Sequence, residues 1–145
     1  MIHSERLTLI AAGCLVLFAA TALGAYGTHG VQGVVDAARW SAYEVAVDYQ
    51  FYHGLGIVAA GILADRFPGS RLIAWSGWVL LAGIIGFSGS IYATTFGAPA
   101  AIGALAPLGG LAMMIGWLLL AAGMGWAARA PDRDQLRPGT QSEDD

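Results

Sequence analysis

The sequence is short of charge, of cysteine and of lysine. Only 12% of its 145 residues are charged and 57% are hydrophobic, whereas an ordinary soluble domain carries about 25% charged residues. A chain with so little charge cannot cover a water-facing surface, so we expect the lipid bilayer to be its solvent. Cys14 is the one cysteine, and a disulfide within this sequence is therefore excluded.

Motifs of catalysis and nucleic-acid binding are also missing. The sequence holds no G-x-S-x-G and no Walker A loop, and GAYGTHG (24–30) is not a dinucleotide-binding fingerprint. The net charge is -3, and no basic stripe is present. We therefore predict that the protein is not an enzyme and has no nucleic-acid partner, and we assign no cofactor.

Long uncharged stretches predict four membrane spans. Residues 7–35, 49–64 and 72–128 carry no charged side chain, and a transmembrane helix needs about 20 apolar residues. The longest stretch holds two spans, because Gly97-Ala98-Pro99 interrupts it. The prediction is an all-α membrane protein, a four-helix antiparallel bundle over residues 1–128, with spans at about 7–28, 44–64, 73–95 and 104–127.

The segments between and after the spans have different compositions. The apolar run from Leu7 is longer than the core of a signal peptide, so we expect it to be retained as the first span. Residues 31–43 are expected to form a helix on the outer surface. Residues 129–145, which are rich in polar and acidic side chains, are expected to be a disordered cytoplasmic tail.

Arginines predict the orientation. Six of them fall at the N-terminus, in the loop at 65–71 and in the tail, and only Arg39 falls on the other side. Cytoplasmic segments are enriched in arginine and lysine. Both termini are therefore predicted to be cytoplasmic, in the inner (plasma) membrane of a bacterium.

Glycines are expected to form the contacts between the spans. Lipid is as apolar as leucine, so membrane helices associate through small residues that permit close approach of their backbones. The predicted packing glycines are Gly24, Gly27, Gly86, Gly109, Gly110 and Gly116, and in the second span Gly56 and Ala60 follow helical spacing along one stripe.

Several motifs resemble one known family. GAYGTH (24–29), DYQFYH (48–53), FSGSIY (87–92), PLGG (107–110) and Gly116-Trp117 fall in order at the ends of the spans. The sequence resembles the YgdD/YwdK-like family of small integral membrane proteins, the domain of unknown function 423, from about residue 7 to 127. The resemblance implies four spans and an inner-membrane location, and it implies no activity.

Polar motif residues should meet near the outer side of the bundle. This candidate cluster comprises His29, Asp48, Tyr49, Gln50, His53, Ser88, Ser90 and Tyr92. In one interpretation it is hydrogen-bonding between helices: Asp48 accepts from His29 or Tyr92, while Gln50 and His53 bond serines. In the other it is a ligand site, where His29 and His53 hold a haem iron or a metal, or Asp48 and His53 hold a quinone headgroup or relay protons.

Three functions remain open. The first is an accessory or structural subunit that binds a larger membrane complex, or that associates with its own copies. The second is a redox-linked subunit that holds haem, metal or quinone. The third is a small transporter or channel, which the arginine bias disfavours because it prevents dual insertion.

Overall fold

Four long α-helices make up the fold of the residues that the structure describes. The computed structural model describes residues 3–129, and in that range it contains no β-strand. The helices are α1 (His3–Tyr26), α2 (Ala37–Arg66), α3 (Arg71–Thr95) and α4 (Leu105–Ala127). The predicted all-helical class is confirmed for this range, and residues 130–145 of the predicted tail lie outside it.

The connections are short and locally specified. Residues Gly27–Val31 continue α1 as a π-helical turn, and Gly33 then reverses the chain at a φ of 85°. Asp36 caps the next helix, since its carboxylate accepts a hydrogen bond from the Arg39 amide at 2.9 Å. After α3, Gly97 adopts a φ of 93°, which leads into a 3-10 helix at Ala100–Ala104.

The second helix begins earlier than the charge pattern indicates. Residues 31–43 are predicted above as a separate surface helix, but residues 37–43 are the first turns of α2. The cap at Asp36, rather than the last charge at Glu44, determines where the helix begins. Charged residues indicate where a helix leaves lipid, and a helix can extend well beyond that point.

Within residues 3–129, three stretches are long and apolar enough to cross a membrane: Ser4–Val31, Arg71–Thr95 and Ala100–Ala127. α2 is not among them, although it is the longest helix at 30 residues. Glu44 and Asp48 lie within its N-terminal half and lower its hydropathy.

Neighbouring helices run antiparallel and pack closely. α2 lies between α1 and α3, and α4 packs on α3. Close contacts at both ends of each pair show the direction: Gly61 lies against Ile10 while Gly27 lies against Tyr43, and Gly123 lies against Ile73 while Gly86 lies against Gly109. The glycines bring the helix backbones together, as expected for association in lipid.

Two apolar clusters fill the interior of the described part of the chain. The larger one takes residues from all four helices: Leu9, Ile57, Ala60, Ala64, Ile73, Leu80, Ile84, Met113 and Leu120. The smaller one is formed by Val31, Tyr43 and Val47.

The two ends of the molecule differ in chemistry. Arg6 pairs with Asp65 at 3.4 Å, and the Ser70 hydroxyl donates to the Gly123 carbonyl at 3.4 Å. These contacts bring together one end, here called the arginine end, which carries Arg6, Arg66, Arg71 and Arg129. The other end, the tyrosine end, carries Tyr26, Tyr43 and Tyr92.

Candidate functional site

A hydrogen-bonded chain through Gln50 joins three helices. The Tyr92 hydroxyl donates to Gln50 Oε1 at 2.8 Å, and Gln50 Nε2 donates to the Val16 carbonyl at 3.0 Å. Gln50 is only 5% exposed. One buried amide therefore connects α3 to α1 through α2.

Two further hydroxyls tie the same helices together nearer the tyrosine end. Tyr43 donates to the Leu23 carbonyl at 2.7 Å, and Ser88 donates to the Ala46 carbonyl at 2.8 Å. The rings of Tyr43 and Tyr92 lie 5.1 Å apart. Sequence reasoning missed Tyr43, although it shares the buried face of α2 with Ala46, Val47 and Gln50 at helical spacing.

Contacts between helices show where the site lies relative to the midpoints of the apolar stretches. The midpoints of the three apolar stretches fall near Leu17, Gly83 and Met113. Gly83 lies against Met113, and Leu17 lies against Gly54, so Gly54 marks the middle level on α2. At 1.5 Å per residue, Gln50 lies about 6 Å from that level.

His53 is buried at this middle level beside aromatic rings. It is 8% exposed, and its Nδ1 lies 2.7 Å from the Tyr49 carbonyl oxygen. Since a carbonyl can only accept, Nδ1 carries the hydrogen. The imidazole lies 5.5 Å from the Tyr49 ring and 6.1 Å from the Trp117 ring.

Some predicted partners differ from the observed ones. Tyr92 bonds Gln50 rather than Asp48, and His53 bonds a backbone carbonyl rather than a serine. Ser90 bonds the Phe87 carbonyl within its own helix at 2.9 Å. The physical reason is geometric. His53 and Ser90 each reach a backbone carbonyl one turn earlier in their own helix, and Tyr92 meets the buried Gln50 amide, whereas Asp48 is exposed.

His29 and Asp48 lie apart from the hydrogen-bonded chain. Both are exposed, and neither side chain makes a hydrogen bond or ion pair to another residue of the range 3–129. His29 follows Gly27, which lies against Tyr43. Tyr43 is ten residues from His53, or about 15 Å along α2, so His29 and His53 are not brought together around one metal or haem iron.

Metal-binding groupings are absent from the part of the chain that the structure describes. No group of three or more histidine, cysteine, aspartate or glutamate residues converges there. Every fully buried side-chain nitrogen and oxygen atom in that part has a hydrogen-bond partner. The Gln50 chain, Tyr43 and Ser88 thus act chemically as connections between helices.

A groove lies between α1 and α3, with Gln50 at its floor. Its volume is about 460 Å³. The walls are mainly apolar and include Val16, Leu23, Ile84 and Gly89, while Tyr92 and Ser88 line it near the tyrosine end. The rim residues Leu15 and Ile85 are 68% and 66% exposed, so the groove opens sideways.

One face of α2 is left uncovered. Its residues recur at alternating spacings of three and four: Val45, Asp48, Tyr52, Leu55, Ala59 and Ile62. All are exposed, with Tyr52 at 61% and Leu55 at 59%. We call this set the α2 outer face.

Comparison with known proteins identifies the family. A family model described as "Protein of unknown function (DUF423)" matches residues 23–110. A UPF0382 membrane protein of Staphylococcus saprophyticus is 40% identical over 111 residues, which cover 77% of this chain and 91% of that protein. The UPF0382 membrane protein YwdK of Bacillus subtilis is 35% identical over 108 residues, covering 74% and 88%. The chain belongs to this family.

Membership in the UPF0382 family confirms the resemblance drawn from the motifs. The matched range 23–110 contains every residue of the predicted polar cluster, from His29 to Tyr92. No solved structure matches the chain. The UPF0382 relatives are named as membrane proteins, which agrees with the three apolar helices, and their names give no activity.

Proposed function

We propose that this UPF0382 protein is an accessory subunit that docks through the α2 outer face onto a transmembrane helix of a larger membrane protein. α2 lies alongside α1 and α3 over their whole lengths. A bilayer crossed by α1 and α3 is therefore crossed by α2 as well, which gives four spans.

Asp48 carries the proposal. It lies six residues from the middle level at Gly54, or about 9 Å along the helix, inside a hydrocarbon core of about 15 Å half-thickness. A lone charged side chain at the centre of a bilayer costs roughly 2.5–3.5 kcal/mol or more. An exposed carboxylate at this depth is stabilised when a partner supplies a cation, so the partner helix should carry arginine, lysine or histidine opposite Asp48.

The pattern of the α2 outer face supports the same partner. Apolar side chains that alternate at three and four residues form the seam by which helices pack in coiled-coil fashion. Val45, Leu55 and Ile62 supply this seam, and Ala59 permits close approach. Its acidic position restricts which helix can bind, since a wrong partner would leave the carboxylate buried without a cation.

Orientation completes the proposal. The arginine end should face the cytoplasm, because arginine-rich segments remain on that side. Both termini are then cytoplasmic, in the plasma membrane of a bacterium. Asp48 then meets its partner in the half of the bilayer that is farther from the cytoplasm.

Site-specific photocrosslinking in the native membrane tests the docking face. A photoreactive residue replaces Leu55 on the α2 outer face, and a matched variant replaces Leu118, which is 69% exposed on α4. We expect one discrete protein adduct from position 55 and none from position 118. Mass spectrometry of the adduct should identify a membrane protein with a basic residue in a span.

Substitution of Asp48 tests whether its carboxylate contributes to docking. Asp48→Asn should reduce the yield of the adduct from position 55, and exchanging the partner's basic residue for an acid should abolish it. Equal yields from positions 55 and 118 would overturn the docking face. An adduct of twice the monomer mass would show that the docking partner is a second copy of this chain and not a larger membrane protein.

A further inference from the structure

We propose that the groove between α1 and α3 binds a single uncharged lipid whose head carries a carbonyl group, held by the spare amide hydrogen of Gln50. The proposal concerns a different surface from the α2 outer face and does not depend on docking there. It follows from the shape of the groove, from the unused hydrogen-bonding capacity of its floor and from its depth.

The groove exists because α1 and α3 separate. They meet where Leu9 lies against Gly77 near the arginine end. From Ala12 and Leu81 onward the groove occupies the space between them. Its volume of about 460 Å³ falls within the range of about 300–1,000 Å³ of small-molecule sites, which are mainly apolar with a few convergent polar groups.

The Gln50 amide at the floor of the groove has hydrogen-bond donor and acceptor capacity that no other side chain or carbonyl of the described residues uses. A glutamine amide offers two N–H hydrogens and two acceptor lone pairs. Gln50 uses one hydrogen for Val16 and one lone pair for Tyr92, and makes no other side-chain hydrogen bond within the described residues. An amide hydrogen facing hydrocarbon is costly to leave unpaired. A carbonyl oxygen in the groove would accept from it.

Depth determines the kind of lipid. Gln50 lies about 6 Å from the middle level of the membrane, whereas the charged headgroup of a phospholipid stays in the interfacial region outside the hydrocarbon core. Only an uncharged head can bring its carbonyl so far inward without burying a charge. A quinone and a long-chain ester share this chemistry, and the experiment distinguishes them.

Glycine at position 89 allows the groove to be filled without disturbing the fold. Gly89 lines the groove, and an added Cβ there would meet no atom within 4 Å. Gly110 on α4 is the matched control, because an added Cβ would meet only the Phe87 ring, at 3.9 Å. Gly110 does not line the groove.

Native mass spectrometry of the purified protein in mild detergent provides the test. The probes are decylubiquinone, methyl palmitate and decylbenzene, the last of which lacks a carbonyl. We expect the wild type to retain one molecule of decylubiquinone or of methyl palmitate, and the preferred probe indicates the head. Retention of decylbenzene should be about tenfold weaker, because decylbenzene cannot make the hydrogen bond to Gln50 and one good hydrogen bond in a membrane changes affinity by about that factor.

The variants distinguish the effect of filling the groove from the effect of removing the hydrogen bond between Gln50 and the carbonyl group. Gly89→Leu should abolish retention of every probe, while Gly110→Leu should bind as the wild type does. Gln50→Leu should reduce carbonyl-probe retention about tenfold. Tyr92→Phe, which keeps the ring and removes only the bond that orients Gln50, should reduce it about threefold.

Two results would overturn the proposal. Equal retention by the wild type and Gly89→Leu would mean that the probes bind outside the groove. Retention of decylbenzene as strong as that of both carbonyl probes would mean that Gln50 recognises nothing. Elution volume and thermal unfolding of each variant establish that a loss of binding is not a loss of fold.

Discussion

At the scale of single residues, Gly109 and Gly110 show how differently two adjacent glycines can act. A methyl group at Gly109 would lie 2.7 Å from the Gly83 carbonyl oxygen and closer still to the Phe87 amide nitrogen. Gly110 has room for one. Both fall in one predicted packing motif, and only the structure shows which of them faces α3.

Substitution of the two glycines should therefore have opposite outcomes. Gly109→Ala should lower the free energy of unfolding by about 1–3 kcal/mol, since the methyl group meets backbone that cannot move aside. Gly110→Ala should leave stability unchanged or raise it slightly, because alanine favours helix over glycine. Denaturation in mixed micelles, followed by tryptophan emission, measures both, and equal losses would contradict the close contact at Gly109.

Side-chain identity predicted a polar cluster, but it did not predict the hydrogen bonds that these side chains make. Gln50, Tyr92 and Ser88 were expected in one cluster, and the structure places them around α2. Their acceptors include backbone carbonyls of Val16 and Ala46. Every residue carries such a carbonyl, so the sequence holds no signal for which one a side chain will reach.

At the scale of helices, α2 shows the difference between a span and a helix. The stretch 49–64 was correctly read as uncharged, but the helix extends from Ala37 to Arg66. The sequence contains the signal for the start of α2 at Asp36, whose carboxylate accepts a hydrogen bond from the backbone amide three residues later. The N-capping side chain of Asp36 determines where α2 begins. The length of an uncharged stretch, which predicts a membrane span, contains no information about such caps.

Removal of that cap should fray the start of α2. Asp36→Ala should destabilise the helix terminus by about 1 kcal/mol, and amide hydrogen exchange at residues 37–40 should accelerate by about fivefold or more. Asp36→Asn keeps a capping oxygen and should exchange nearly as slowly as the wild type. The exposed ion pair of Asp36 with Arg39, at 3.5 Å, should contribute little, so a large effect of Asp36→Asn would assign the stability to charge instead.

At the scale of the whole molecule, charge should determine how the protein sits in the membrane. Four arginines of the described residues cluster at the arginine end, and Arg39 alone lies near the tyrosine end. The contacts between helices group these side chains but say nothing about which side of a membrane each end faces. That choice depends on arginine's preference for the cytoplasm during insertion.

Cysteine labelling in spheroplasts tests the orientation. In a Cys14→Ser background, Gln32→Cys near the tyrosine end should react with a membrane-impermeant maleimide. Ser4→Cys at the arginine end should react only after permeabilisation. The reverse pattern would invert the topology, and labelling of both sites in intact spheroplasts would indicate mixed insertion.

The position of α2 between α1 and α3 also bears on how the protein is made. A ribosome delivers α1 to the translocon first, and α2 follows with two acids in its N-terminal half. α2 is not among the described helices that are apolar enough by composition to cross a membrane. We therefore expect it to enter as a hairpin with α1, whose Val16 and Leu23 carbonyls accept hydrogen bonds from Gln50 and Tyr43. Biogenesis then depends on partners within the chain, and a nascent chain truncated after α2 should insert only when α1 precedes it.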